Sequence, residues 1–226
     1  MISSERKNRI TSIDGLRGLS CLIIAFASHY WKFWISCFPF LEGKLHPELF
    51  VEVFVGISGF CMMYNYLEGI NDNFFHFYGR KYFQIMPMLW ISNLAMIIFD
   101  YFFSGKIWIT RPILLSLWKQ FSGLSSGLFT LDGHANGALW TIDLLLVCYV
   151  AFYFYIHMRN MGRKGRIFSD AVLAMILLVS WYGMIHWWNR PFLYYVMSLR
   201  VYASFIIGII VYYIIFIRNM MINCLL

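Results

Sequence analysis

The chain has 226 residues, 61% of them hydrophobic and 13% charged, with a formal net charge of +7. A soluble domain carries about 45–50% apolar and about 25% charged residues, and a globule of this size has too much surface for its volume to hide such an excess. The composition excludes a soluble core, a disordered chain, a coiled coil and a secreted disulfide scaffold, and leaves an integral helical membrane protein.

The chain opens on Arg6, Lys7 and Arg9, ahead of an apolar run. Ala25-Phe26-Ala27 has the small-x-small form of a cleavage site. Arg17 interrupts the apolar region before that site, however, and the run continues past it, so a retained first span is expected. Six apolar segments follow in order, at 15–37, 49–67, 83–103, 138–158, 169–188 and 199–217. Each is close to the roughly 20 residues that cross a bilayer as a helix. The expected fold is therefore all-α, a single membrane domain over 1–226 with six transmembrane helices and no internal repeat. Between the third and fourth segments lies a long connection, 104–137. Within it Pro112 precedes Leu114, Leu117, Trp118 and Phe121 at helical spacing, which predicts an interfacial helix over 111–121. Gly123, Gly127, Gly133 and Gly137 then make a flexible approach to the fourth span. That connection reads equally as a plain linker and as a lid.

Orientation follows from Lys and Arg. With the N-terminus inside, 11 of the 18 lie inside, namely Arg6, Lys7, Arg9, Arg17, Arg80, Lys81, Arg159, Arg163, Lys164, Arg166 and Arg218, and 7 lie outside. The inner loops are also shorter, which supports N-in, C-in. The basic balance is then a matter of topology and anionic headgroups rather than of nucleic acid. Five cysteines without a CxxC pair read as small hydrophobes. The histidines show no zinc-ligand spacing, so no metal site is expected.

Ionisable groups within spans cost several kcal/mol unless solvated or paired, which makes them functional candidates. The candidates are His29 in the first segment, Glu52 in the second and Asp143 in the fourth. At about 1.5 Å per residue they lie about 10, 5 and 8 Å below the outer ends of their segments. A His beside a carboxylate suits a general base, because the acid fixes the tautomer and stabilises the imidazolium. A structural polar contact between helices explains the same pattern equally well. Arg17 lies at the inner mouth of the first span. Arg17, Arg80 and Lys81 each read either as topology signals or as ligands for an anion arriving from the cytoplasm. The cluster 159–166 reads as the positive-inside signal alone. No phosphate-cradling glycine loop and no serine-hydrolase elbow occurs.

Several segments together resemble the membrane acyltransferase-3 family, whose members acylate glycans at bacterial surfaces and related acceptors. They are the opening run 9–19 with Asp14-Gly15-Leu16-Arg17-Gly18 and His29 after it, the run 50–60 ending in Ser58-Gly59-Phe60, and the basic run 77–87 ending in Ile85-Met86-Pro87. Leu139-Trp140-Thr141-Ile142 with Tyr149, and the Arg200-to-Gly208 stretch, complete the set. The matches are in order and cover most of the chain.

The resemblance implies a membrane enzyme of the bacterial cytoplasmic membrane with no bound cofactor. It would take an acyl group, commonly acetyl, from cytoplasmic acyl-CoA and deliver it to a hydroxyl on an extracytoplasmic glycan. Carried onto this sequence, Arg17 would hold the donor, His29 would deprotonate the acceptor and Glu52 would support the site. Arg80 and Lys81 would meet the CoA phosphates, and Trp140 and Asp143 would join the substrate-binding set. Three departures stand out. The family places about ten residues between the basic residue and the His, whereas 18–28 makes eleven here, and one extra residue turns a helix position by roughly 100°. Either a local π-bulge absorbs it or His29 lies on another face. Gln84 stands where Arg is common, and Leu145 where Glu is common. Members usually have about ten spans, so the resemblance implies missing C-terminal spans. A non-catalytic remnant or partner subunit, and a small transporter, are the competing expectations.

Overall fold

In the computed structural model every described element is an α-helix. They are α1 (Thr11–His29), α2 (Glu48–Tyr66), α3 (Phe74–Ser104), α4 (Trp140–Arg159), α5 (Arg163–Trp187) and α6 (Leu193–Leu225). The structure describes residues 11–29, 38, 48–67, 69–104, 140–187 and 193–225. The interfacial helix expected at 111–121 and the glycine-rich approach that follows it lie outside the described residues. Each helix overlaps one predicted apolar segment, and three begin six or more residues earlier. α3 starts at Phe74 rather than 83, α5 at Arg163 rather than 169, and α6 at Leu193 rather than 199. An apolar window marks only what lipid requires, while backbone hydrogen bonding carries a helix on through polar residues. Among the described residues three helices are long and apolar enough to cross a membrane: Leu49–Tyr66, Arg163–His186 and Ser198–Phe216. Leu144–Arg159 is a shorter apolar helix.

The chain groups into two compact units, one of Met1–Glu68 with Ser204–Leu226 and one of Gly69–Ala203. In the first, α1 packs along α2, and α2 meets the C-terminal part of α6 at glycines. A Cβ on Gly56 would lie 3.3 Å from the carbonyl oxygen of Ser204. One on Gly59 would collide with the carbonyl of Phe205, and one on Gly208 with the carbonyl of Gly56. The two backbones therefore touch, a geometry that small residues permit and that dominates helix association in lipid. Further along, the Phe60 and Tyr64 rings meet Tyr212 edge-on at 5.5 and 6.3 Å, and the Tyr213 hydroxyl donates to Met63 Sδ at 3.7 Å. Residue numbers rise together on both sides of this seam, so α2 and this part of α6 run parallel.

In the second unit, α3 and α4 run antiparallel. Phe74 and Phe77 meet the Tyr153 ring at 5.4 and 5.3 Å, and further along α3 the Lys81 ammonium lies over Tyr149. The turn before α3 passes through Gly69 at φ +122°, and the Tyr153 hydroxyl donates to the Asp72 carbonyl at 3.4 Å. α4 ends in a glycine turn, with Gly162 at φ +98°, where a β-carbon would be strained. The chain returns as α5 so closely that a Cβ on Gly165 would strike the Met158 carbonyl. Among the described residues α4 is well enclosed, with Leu144, Leu146, Phe152 and Ile156 fully buried. α5 is its opposite. Ser169, Ser180 and Gly183 form a buried stripe, while Phe168, Met175, Leu178, Val179, Trp181 and Ile185 are exposed. Small groups inward and bulky apolar groups outward suit a helix facing lipid.

Candidate functional site

The seven candidate residues divide between the units. Arg17, His29 and Glu52 belong to the first, and Arg80, Lys81, Trp140 and Asp143 to the second.

Arg17 lies in the second turn of α1, half-buried, with its guanidinium carbon 5.5 Å from the centroid of the Phe54 ring on α2. Glu52, also half-buried, precedes Phe54 by two residues, or about 3 Å along the helix axis. The depth count from the sequence places Arg17 at the inner mouth and Glu52 in the outer half. The contact instead brings Arg17 level with the turn of α2 that carries Glu52. The count measures each residue from the end of its own apolar segment, and nothing in the sequence fixes how packed helices are staggered.

α1 is unbroken α-helix from Thr11 to His29. No wider turn absorbs the extra residue between Arg17 and His29. At about 100° and 1.5 Å per residue, the position of His29 lies about 120° round the axis from Arg17 and about 18 Å along it. The two are thus far apart on different faces of one helix. The side chains of His29, Trp140 and Asp143 lie outside the described part of the structure. Their backbones place His29 at the C-terminus of α1, and Trp140 and Asp143 in the first turn of α4.

Arg80 projects from the second turn of α3, and its Nη2 donates to Asp72 Oδ2 at 2.6 Å. The other oxygen of Asp72 lies 3.3 Å from His76 Nδ1. Asp72, His76 and Arg80 are four apart, so a helix stacks the last two on one face and the carboxylate sits at the positive end of the helix dipole. Lys81 turns away to α4, its Nζ 5.5 Å from the Tyr149 ring centroid. Tyr149 is buried. Asp143 lies six residues before it on α4, or about 9 Å along that axis. Beside this group, the Tyr153 and His157 rings stack at 6.3 Å. The result is a cationic face at the start of α3, part neutralised by Asp72 and backed by aromatic rings. Such a face can hold a phosphate-bearing ligand.

Arg159 departs from its reading as a topology signal. Its Nη1 donates to Asp170 Oδ1 at 2.8 Å and to the Tyr155 hydroxyl at 3.1 Å, and Tyr155 donates to the same carboxylate oxygen at 2.9 Å. This triad ties the end of α4 to α5. Sequence reasoning missed Asp72, Phe54 and Asp170. The four-residue spacing of Asp72, His76 and Arg80 was a usable signal. Contacts between helices, such as Arg17 with Phe54, leave none. Among the described residues no three His, Cys, Asp or Glu side chains gather as a metal site would require.

The acyltransferase-3 family model, described as an acyltransferase domain, matches residues 10–222. The match runs from before α1 to within the last turn of α6 and takes in all seven candidate residues. No curated protein and no solved structure matches the chain.

Proposed function

The chain belongs to the acyltransferase-3 family, and from that premise we propose that it is a membrane O-acyltransferase of the bacterial cytoplasmic membrane. It moves an acyl group, acetyl in the simplest case, from cytoplasmic acyl-CoA to a hydroxyl of an extracytoplasmic cell-envelope polysaccharide. The observation that carries the reading is the family match over nearly the whole chain.

Six spans with both termini inside fit the parallel seam between α2 and α6. Three helices separate these two in sequence. If each crosses once, α2 and α6 must point the same way. If α1 also crosses once, both ends of the chain lie on one side. The Lys and Arg count makes that side the cytoplasm.

The chemistry follows from the side chains. The neutral imidazole of His29 takes the proton of the acceptor hydroxyl as its oxygen attacks the thioester carbonyl. The tetrahedral intermediate collapses, the carbon–sulfur bond breaks, and the imidazolium returns its proton to the departing thiolate. Glu52 supports the site at the level of Arg17. Arg17 holds the donor, Arg80 and Lys81 meet its phosphates, and Trp140 and Asp143 line the path of substrate. The separation of about 18 Å between Arg17 and His29 along α1 suits a long donor whose phosphates and thioester lie at opposite ends of a flexible arm. A small, compact donor could not touch both.

The test is expression beside candidate surface polysaccharides, with mass spectrometry of the glycan. The expected result is an acyl mass increment that His29→Ala abolishes. An increment that survives His29→Ala overturns the assigned mechanism. No increment with any donor overturns catalysis and leaves a non-catalytic membrane protein.

A further inference from the structure

Arg17 is a charged group in the second turn of α1, three residues after Asp14, and a bare guanidinium within a span is costly. Among the described residues the guanidinium lies over an aromatic ring, that of Phe54, at 5.5 Å. The kind of partner matters chemically. An ion pair occupies the N–H donors of an arginine, as Asp72 does for Arg80. An aromatic face attracts the cation through the ring quadrupole and, unlike a carboxylate, offers no oxygen acceptor that would saturate the five N–H donors. Such an arginine is held in place and still has its hydrogen-bonding capacity for an anion.

The backbone that carries Phe54 is tied down. The Ser58 hydroxyl donates to the Phe54 carbonyl at 3.0 Å. Gly59 seats the same stretch of α2 directly on the backbone of α6 at Phe205. Ser58 and Gly59 thus anchor the helix that presents the ring.

We propose that Phe54 is a positioning residue for Arg17: its ring holds the guanidinium by a cation–π contact so that the N–H edge stays open to a phosphate of the acyl donor. The proposal rests on the reading of Arg17 as the donor-holding residue. It makes a prediction that simple packing does not. The aromatic character of residue 54 matters, and it matters only while Arg17 is present.

The experiment is equilibrium binding of radiolabelled acetyl-CoA to the purified full chain in lipid nanodiscs without acceptor. The variants are Phe54→Leu, Phe54→Met, Phe54→Trp, Arg17→Ala and the double variant Arg17→Ala/Phe54→Leu. Folding of each is checked by size exclusion. Phe54→Leu and Phe54→Met each weaken binding about tenfold, equivalent to about 1.4 kcal/mol. Phe54→Trp, the better cation–π partner, binds at least as well as the parent. Arg17→Ala loses binding, and adding Phe54→Leu to it changes nothing more. Unchanged affinity in folded Phe54→Leu or Phe54→Met overturns the proposal. So does equal loss in Phe54→Trp, or a Phe54→Leu effect that persists without Arg17. Full binding by Arg17→Ala overturns instead the reading on which the proposal rests.

Discussion

The α2–α6 seam and the α4–α5 hairpin solve one problem in two ways. Lipid tails are as apolar as the helices, so burial of Leu or Ile does not choose between a neighbouring helix and the bilayer. The α2–α6 seam relies on contact: Gly56, Gly59 and Gly208 let two backbones touch. The α4–α5 hairpin has one such point, Gly165 against Met158, and adds the Tyr155–Arg159–Asp170 triad near its turn. The hairpin joins helices separated by a glycine turn, whereas the seam joins helices with most of the chain between them. Where the turn already holds two helices side by side, a polar clasp is enough to set their register. Where no turn helps, the helices need surface contact along several turns.

Substitutions test this contrast. The largest effect is expected at Gly208→Leu or Gly59→Leu, where a side chain must displace backbone. Loss of more than about 4 kcal/mol should remove the monodisperse peak in fluorescence-detected size exclusion. Gly79→Ala, with open space around its position, should leave that peak intact. Gly165→Ala meets the Met158 carbonyl and the Met161 β-carbon beside the Gly162 turn, and about 2 kcal/mol of destabilisation is expected, read as a lower thermal midpoint with folded protein retained. If Gly165→Ala proves as damaging as Gly208→Leu, the distinction between the two devices fails. Asp170→Asn removes the charge that faces Arg159. Because Asp170 is half exposed, the expected cost is about 1 kcal/mol, and a double-mutant cycle with Arg159→Gln should recover most of it as coupling. The smallest effect is expected at Asp72→Asn. The exposed pair with Arg80 contributes under about 1 kcal/mol, and the difference from the parent should vanish in high salt.

Much of the architecture was legible in the sequence. Apolar windows located six helices, three of which, among the described residues, are long and apolar enough to cross a membrane. They misjudged the starts of α3 and α5, where polar and basic residues continue the helix. The start of α5 carried a signal in Gly162, whose left-handed turn stops one helix and allows the next to begin at Arg163. The site was legible in residue type and not in placement. Counting along one helix sets Arg17 and His29 on different faces once α1 is known to be unbroken. The Arg17–Phe54 and Arg159–Asp170 contacts depend on rotation and stagger between helices, which no single sequence encodes in its spacing.

The parallel seam also governs the order of assembly. α2 enters the bilayer early, and α6 follows only after α3, α4 and α5 have been synthesised. Until then the glycine-floored side of α2 has no protein surface to rest on, and the unit that carries Arg17 and Glu52 stays open. A chain that stalls partway therefore keeps α1 packed on α2 but leaves the glycine side of α2 uncovered.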